Sequence, residues 1–294
     1  MVKLSGVVLF SNDGGGNVVK EEVEIEVDDD ITELDLTRRR LLSAANFGSL
    51  PNLEMLILRW NLLKKIENVN GLHRLTHLSL YDNQITTIEN LTDLPNLCIL
   101  DLSYNRITKI EGLETLKNLK ELYLTRNKLS KIEGLSCVRL STLKELEVLS
   151  FIGNAIRDIE GLGALTKLAD LAVSQNGLTR IAGLTNNIAL TTLDLNDNRI
   201  EKIENLQHLV NLKALWIRNN KYKESSVNGN KIFAVHNIST ATEFVRFCHE
   251  YGLSTVFQRT GSAAIRGKRS QRDLKDRLFE QWFTRNVTNS THIR

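Results

Sequence analysis

From residue 53 onward the chain repeats itself. Units begin at Leu53, Leu75, Leu97, Leu119, Leu146, Leu168, Leu190 and Leu212, 22 residues apart except for one interval of 27. Three of them read LTHLSLYDNQITTIENL (75–91), LCILDLSYNRITKIEGL (97–113) and LKELYLTRNKLSKIEGL (119–135). Each follows L-x-x-L-x-L-x-x-N-x-I/L-x-x-I-x-x-L, and a weaker copy begins at Ile31. One such unit is too short to bury its own Leu face. Units stacked on one another bury it continuously, so the period predicts a solenoid.

The chemistry inside the unit supports this. Alternation in L-x-L predicts a short strand with both Leu turned inward and the residue between them turned outward. Asn closes each strand, at positions 61, 83, 105, 127, 154, 176, 198 and 220. A buried amide has two donors and an acceptor with which to satisfy backbone groups where the coil turns, so stacked Asn predicts a ladder. The remainder, as in Ile107, Ile110, Leu113 and Leu116, recurs every three residues, which suits a 3₁₀ or short helical return. The expected fold class is therefore α/β: a curved parallel sheet on the concave face and short helices on the convex one.

The exceptions fall where a solenoid tolerates them. In the Ile31 unit Arg39 stands in place of the Asn, which predicts an end cap. Before it, Val23, Ile25 and Val27 alternate with Glu24, Glu26 and Asp28, the pattern of a capping edge strand protected by charge. Gly14–Gly16 reads as a flexible linker. Deleting Cys137–Ser141 (CVRLS) restores the 22-residue period, so these five residues are expected to bulge the return limb without disturbing strand register.

Three segments emerge: 1–30, acidic and partly flexible; 31–220, the array; and 221–294, a basic tail. The tail holds 13 Lys and Arg against 6 Asp and Glu, net +7, whereas residues 1–220 hold 25 against 29, net −4. In the tail, Thr240-x-x-Glu243 fits a capping box. Phe244, Phe247, Cys248 and Tyr251 then share one helical face, predicting a helix near 241–251 that covers the last unit. Residues 261–272 read as a basic linker, and a second amphipathic helix is expected near 271–285.

Hydrophobic residues at 41% and charged residues at 25% fit a folded soluble chain. No apolar run reaches the roughly 18 residues of a membrane helix. The apolar stretch at the start is too short for a signal-peptide core. The three cysteines have no paired or zinc-like spacing. These features lead to an expectation of nucleus and cytoplasm.

No catalytic constellation stands out. There is no Walker or dinucleotide-binding glycine motif. A repeated shallow surface suits binding rather than catalysis, and neither a cofactor nor a metal is expected. Counting the first Leu of a unit as position 1, positions 3, 5, 7 and 8 face outward from the strands. In the eight good units they hold the acids Asp82, Asp101, Glu121, Asp170, Asp194 and Asp197 against Arg59, Arg126 and Arg218. Trp60, Tyr81, Tyr104, Tyr123 and Trp216 stand among them. A net-acid face disfavours nucleic acid. Acids mixed with Tyr and Trp favour a protein partner.

The phrases KIEGL and KIENL (109–113, 131–135, 202–206), TIENL (87–91) and Asp158–Leu162 (DIEGL) narrow the resemblance. With strict 22-residue units they resemble the leucine-rich-repeat regulatory subunits of type-1 serine/threonine protein phosphatase, over about residues 31–220. The resemblance implies a non-catalytic subunit, monomeric apart from its partner, whose concave face holds the phosphatase catalytic subunit. It implies contacts from position-5 acids and aromatics, here Asp101, Tyr123, Asp194 and Trp216. Ala214 departs from the family, which has an acid there. The array is also about two repeats shorter between Asn127 and Asn154, and the tail does not match the family's C-terminal cap. The competing reading is another intracellular scaffold of the same repeat class, such as a ciliary or tubulin-related adaptor.

Overall fold

The computed structural model describes residues 1–12, 18–43, 46–133 and 143–221. Both expected tail helices, Gly14–Gly16 and the CVRLS segment lie outside the described residues. The elements in chain order are β1 (Val2–Asn12), β2 (Val18–Val27), β3 (Glu33–Asp35), β4 (Leu41–Ser43), a 3₁₀ turn (Phe47–Ser49) and β5 (Met55–Ile57). They continue with β6 (His77–Ser79), β7 (Ile99–Asp101), β8 (Glu121–Tyr123), β9 (Val148–Ser150), β10 (Asp170–Ala172), β11 (Thr192–Asp194) and β12 (Ala214–Trp216).

Strand β3 and strands β5 to β12 form one parallel sheet of nine strands in chain order. Equivalent positions pair throughout, as in Asp101↔Tyr123. Across the 27-residue interval the pairing Glu121↔Val148, Leu122↔Leu149, Tyr123↔Ser150 keeps the same positions opposed. The insertion therefore leaves register intact, because a slip of one would turn the buried Leu outward. The hydrogen-bonded ladder outlasts the three-residue strands: Leu58 N donates to Ser79 O at 2.8 Å and Trp60 N to Tyr81 O at 2.9 Å.

The Asn ladder is present in every regular unit. Asn105 Oδ1 accepts from Ile85 N at 2.9 Å, while its Nδ2 donates to Leu80 O at 2.9 Å and Leu102 O at 3.0 Å. The bonds to Ile85 and Leu80 cross to the preceding unit, so each amide rivets two coils together. Arg39, at the equivalent place in the first unit, is exposed.

Among the described residues two positions recur in left-handed backbone along the regular units. Position 8 has φ near +55° at Trp60, Asp82, Tyr104, Arg126, Gln175 and Asp197, and +71° at Gly153. Position 16, the G/N of I-E-G/N-L, has positive φ at Asn68, Asn90, Gly112, Gly161, Gly183 and Asn205. Gly and Asn are the residues that enter this region most readily. At Gly183 an added Cβ would collide with the Ile159 carbonyl oxygen. Where Asn stands instead, its amide bonds the corresponding carbonyl: Asn90 Nδ2 donates to Ile66 O at 2.7 Å and Asn205 Nδ2 to Ile181 O at 2.8 Å. The I-E-G/N-L phrase thus has a mechanical cause, a left-handed turn with two solutions.

The return limb is leaner than a helix. Among the described residues Phe47–Ser49 is the sole helical element. Elsewhere single i→i+3 bonds make the turn, such as Leu75 N to Leu72 O at 3.0 Å and Leu97 N to Leu94 O at 3.2 Å. The Leu and Ile of all units merge into one continuous core.

At the N-terminal end β2, β1 and β4 form an antiparallel sheet in that order. Strand β2 is its edge, as the alternating charges predict, and Val23, Ile25 and Val27 pack against the core. Strand β1 was not foreseen from the sequence; its Leu4 is fully buried.

Candidate functional site

The outward positions of nine strands make one continuous surface, but the side chains on it are unequally exposed. Asp101 retains 2% of its accessible surface, Tyr123 1%, Asp194 9% and Trp216 39%. All four occupy position 5 of the same sheet. Asp101 and Tyr123 are direct neighbours on β7 and β8, and Asp194 and Trp216 are direct neighbours on β11 and β12. Asp101, Tyr123 and Asp194 are all buried and Trp216 alone of the four is exposed, so the first pair is sunk and the second opens at Trp216.

The sunk pair belongs to a polar chain running across the strands. Arg59 Nε donates to Ser79 Oγ at 2.8 Å, and Ser79 hydrogen-bonds Asp101. Asp101 Oδ1 accepts from Ser103 N at 3.0 Å. Burial raises the Asp101 carboxyl above the usual carboxylate range, against the opposing pull of its hydrogen bonds and of the Arg59 charge. Tyr123 Oη donates to Glu121 Oε2 at 2.6 Å. Burial first, then the Glu121 carboxylate, raises its phenol far above the ordinary value, so it stays protonated. Further along, the Thr125 and Ser150 hydroxyls hydrogen-bond each other, Oγ1 to Oγ, at 2.8 Å. This chain shapes the floor of the surface and fixes where its charge sits.

In the open pair, Asp194 Oδ1 accepts from Asn196 N at 3.0 Å. Trp216 stands out because Leu215 and Ile217 on either side point into the core and are buried. It is the large aromatic the face exposes most.

A third cluster emerges only in three dimensions. The Trp60 and Tyr81 ring centroids lie 5.6 Å apart edge to face, and those of Tyr81 and Tyr104 lie 4.9 Å apart. The Arg38 guanidinium sits over Trp60, 4.3 Å from its centroid. The sequence shows each ring separately. The signal for the cluster was their occurrence at positions 7 and 8 of consecutive units. Nearby, His77 lies on the same face, and burial lowers its ring's proton affinity.

Among the described residues no group of three or more His, Cys, Asp or Glu is arranged to hold a metal. No helix among them is long and apolar enough to cross a membrane.

Comparison with known proteins agrees with this geometry. The family described as leucine rich repeats, two copies, matches residues 51–93, 95–137 and 188–230. Among solved structures, a leucine-rich-repeat protein of Leptospira interrogans is 27% identical, with a TM-score of 0.56 over 66% of this chain and 56% of that one. Internalin C2 of Listeria monocytogenes is 29% identical, with a TM-score of 0.57 over 66% of this chain and 84% of that one. This chain thus spans little more than half the length of the Leptospira protein. No curated protein matches the sequence. In all, 371 solved chains match; a scaffold so widely shared fixes architecture and leaves the partner to side chains.

Proposed function

We propose that this leucine-rich-repeat protein is a non-catalytic binding subunit that docks a globular protein on the strand face of its array. The observation that carries the reading is the exposed Trp216 on that face, beside the buried Asp194, at one end of a nine-strand surface. A surface of nine strands about 4.8 Å apart spans roughly 40 Å, the width of one globular domain. Exposed Trp at such a place is the typical anchor of an interface.

The partner that the repeat phrases favour is the catalytic subunit of type-1 protein phosphatase, met in nucleus and cytoplasm. In this reading Trp216 makes the main contact, with Asp194 setting the charge beside it, while Asp101 and Tyr123 hold the floor beneath it. The two buried side chains act through the shape and charge of the surface, because groups exposed at 1–2% have almost no area to give a partner.

The experiment is a binding measurement with purified phosphatase catalytic subunit against the full chain. The parent binds, and Trp216→Ala weakens binding about 30-fold, the equivalent of about 2 kcal/mol, with circular dichroism unchanged. Absence of binding by the folded parent excludes this partner and favours the scaffold with another protein. Undiminished binding by a folded Trp216→Ala variant excludes the strand face.

A further inference from the structure

The edge of the sheet where the strands run out carries a second surface, set off from the open pair. Positions 8, 10, 12 and 13 of consecutive units stack along it. The stacking is explicit in the backbone: Arg106 N donates to Ile85 O at 2.8 Å, and Lys128 N to Ile107 O at 2.9 Å, each one unit back. In the first five units these positions hold nine Lys and Arg against one acid, Asp82. In the last four they hold five against three among the described residues.

Like charges sit directly over one another here. Arg106 stacks under Lys128 at position 10, and Lys109 under Lys131 at position 13, all four exposed. Like charges opposed on neighbouring strands are destabilising. Other places in the same solenoid avoid the cost by pairing opposite charges one unit apart: Lys167 with Glu145 at 2.6 Å, and Arg180 with Asp158 at 3.3 Å. Like charges also stack further along the same edge, where Arg199 and Lys221 share position 10; the first five units differ in their nine-to-one excess of bases. Alongside the charges runs the Trp60–Tyr81–Tyr104 stack. Its two outer rings occupy left-handed backbone, at φ +51° and +56°, where Asn or Gly fits with less strain. The rings and the bases thus lie along one edge, and both are present in the unit that begins at Leu97.

We propose that this edge binds an extended acidic protein segment carrying aromatic side chains. Five units about 4.8 Å apart give a track of roughly 20 Å, which about six extended residues cover at about 3.4 Å each. Carboxylates meet the stacked bases, and the segment's aromatic groups lie against the ring stack. The chemistry favours a peptide over a nucleic acid. Immediately beyond position 13 stands a row of carboxylates, Glu67, Glu89 and Glu111, with Lys109 already paired to Glu111 at 3.0 Å. A peptide can set neutral or aromatic residues against that row, whereas a nucleic acid carries a charge at every phosphate.

The test is fluorescence anisotropy with the full chain and a fluorescein-labelled six-residue peptide of Glu and Tyr. The peptide binds, and the double variant Arg106→Glu, Lys128→Glu weakens it at least tenfold. Lys117→Glu with Lys120→Glu, exposed on the opposite edge, changes affinity less than twofold. The proposal is overturned if both double variants behave alike, if the peptide does not bind, or if a labelled thymidine oligonucleotide binds more tightly than the peptide. Phosphatase binding, which depends on Trp216, is expected to survive Arg106→Glu with Lys128→Glu. The two surfaces can therefore fail separately.

Discussion

The first five units and the last four share one backbone and display opposite chemistry on it. Both keep the Asn ladder, the inward Leu pair and the left-handed residue at position 8. In the first group, position 8 carries Arg38, Trp60, Asp82, Tyr104 and Arg126. In the second it carries Gly153, Gln175, Asp197 and Asn219, small or amide-bearing residues that suit left-handed backbone better. On the strand face the first group sinks Asp101 and Tyr123 into a hydrogen-bonded chain, whereas the second presents Trp216. Like charges stack on the edge of both groups, as Arg106 with Lys128 and Arg199 with Lys221, but bases outnumber acids there nine to one in the first group and five to three in the second. The scaffold tolerates either choice at any unit. Departure from the comfortable choice is therefore informative, and it is concentrated in the first five units.

The sharpest test of the shared backbone is the ladder itself. Replacing Asn105 by Leu removes its bonds to Ile85 N, Leu80 O and Leu102 O. Replacing Asn176 removes the equivalent bonds to Ile156 N, Phe151 O and Val173 O in the second group. Several buried backbone groups left without partners cost about 1–3 kcal/mol each before relaxation, so both variants are expected to lower the thermal midpoint severely and to similar extents. A mild effect in one group alone breaks the claim that the two halves share one frame.

A smaller effect separates the faces. Asp101 has a raised pKa in the fold because of burial. As pH rises through the ordinary carboxylate range the unfolded chain ionises first, so ionisation of Asp101 draws the equilibrium toward unfolding. Asp101→Asn removes that draw. The variant is expected to melt higher than the parent at neutral pH, with the difference closing as pH falls below the ordinary carboxylate value. A difference that widens on acidification reverses the sign and refutes the buried-charge account of the floor.

The smallest effect concerns the edges. Arg106→Glu turns a stacked like pair into an opposite one and is expected to add a few tenths of a kcal/mol. Arg180→Glu breaks the exposed pair with Asp158 and is expected to lose about as much. Urea midpoints measured at low salt, where screening is weakest, distinguish the two signs. The same sign for both removes the stacked-charge distinction.

Much of the fold was legible because the period repeats the same instruction in every unit. The inward Leu, the Asn rivets and the unbroken register past the CVRLS insertion all follow from local pattern plus stacking. The first strand was not legible, because MVKLSGVVLF alternates poorly and is understood as a strand only once β2 and β4 pair with it. The return was expected to be helical from its three-residue spacing, yet the same spacing serves a chain that makes one i→i+3 bond and moves on. At the candidate site, strand alternation correctly turned Asp101, Tyr123, Asp194 and Trp216 to one face. Alternation reports direction and not depth, so it did not distinguish the sunk Asp101 and Tyr123 from the exposed Trp216.

The sequence by itself determined the solenoid, its strand register and the chemical inventory of each outward position, since all three depend on periods shorter than one unit. Only the tertiary structure decided which outward residues touch solvent, and that Trp60, Tyr81 and Tyr104 form one stack. It also decided that Arg106 faces Lys128 while Arg180 faces Asp158. Those outcomes depend on distances between side chains a full unit or more apart. Such distances are set by how neighbouring rotamers fill the space between coils, and sequence spacing does not encode them.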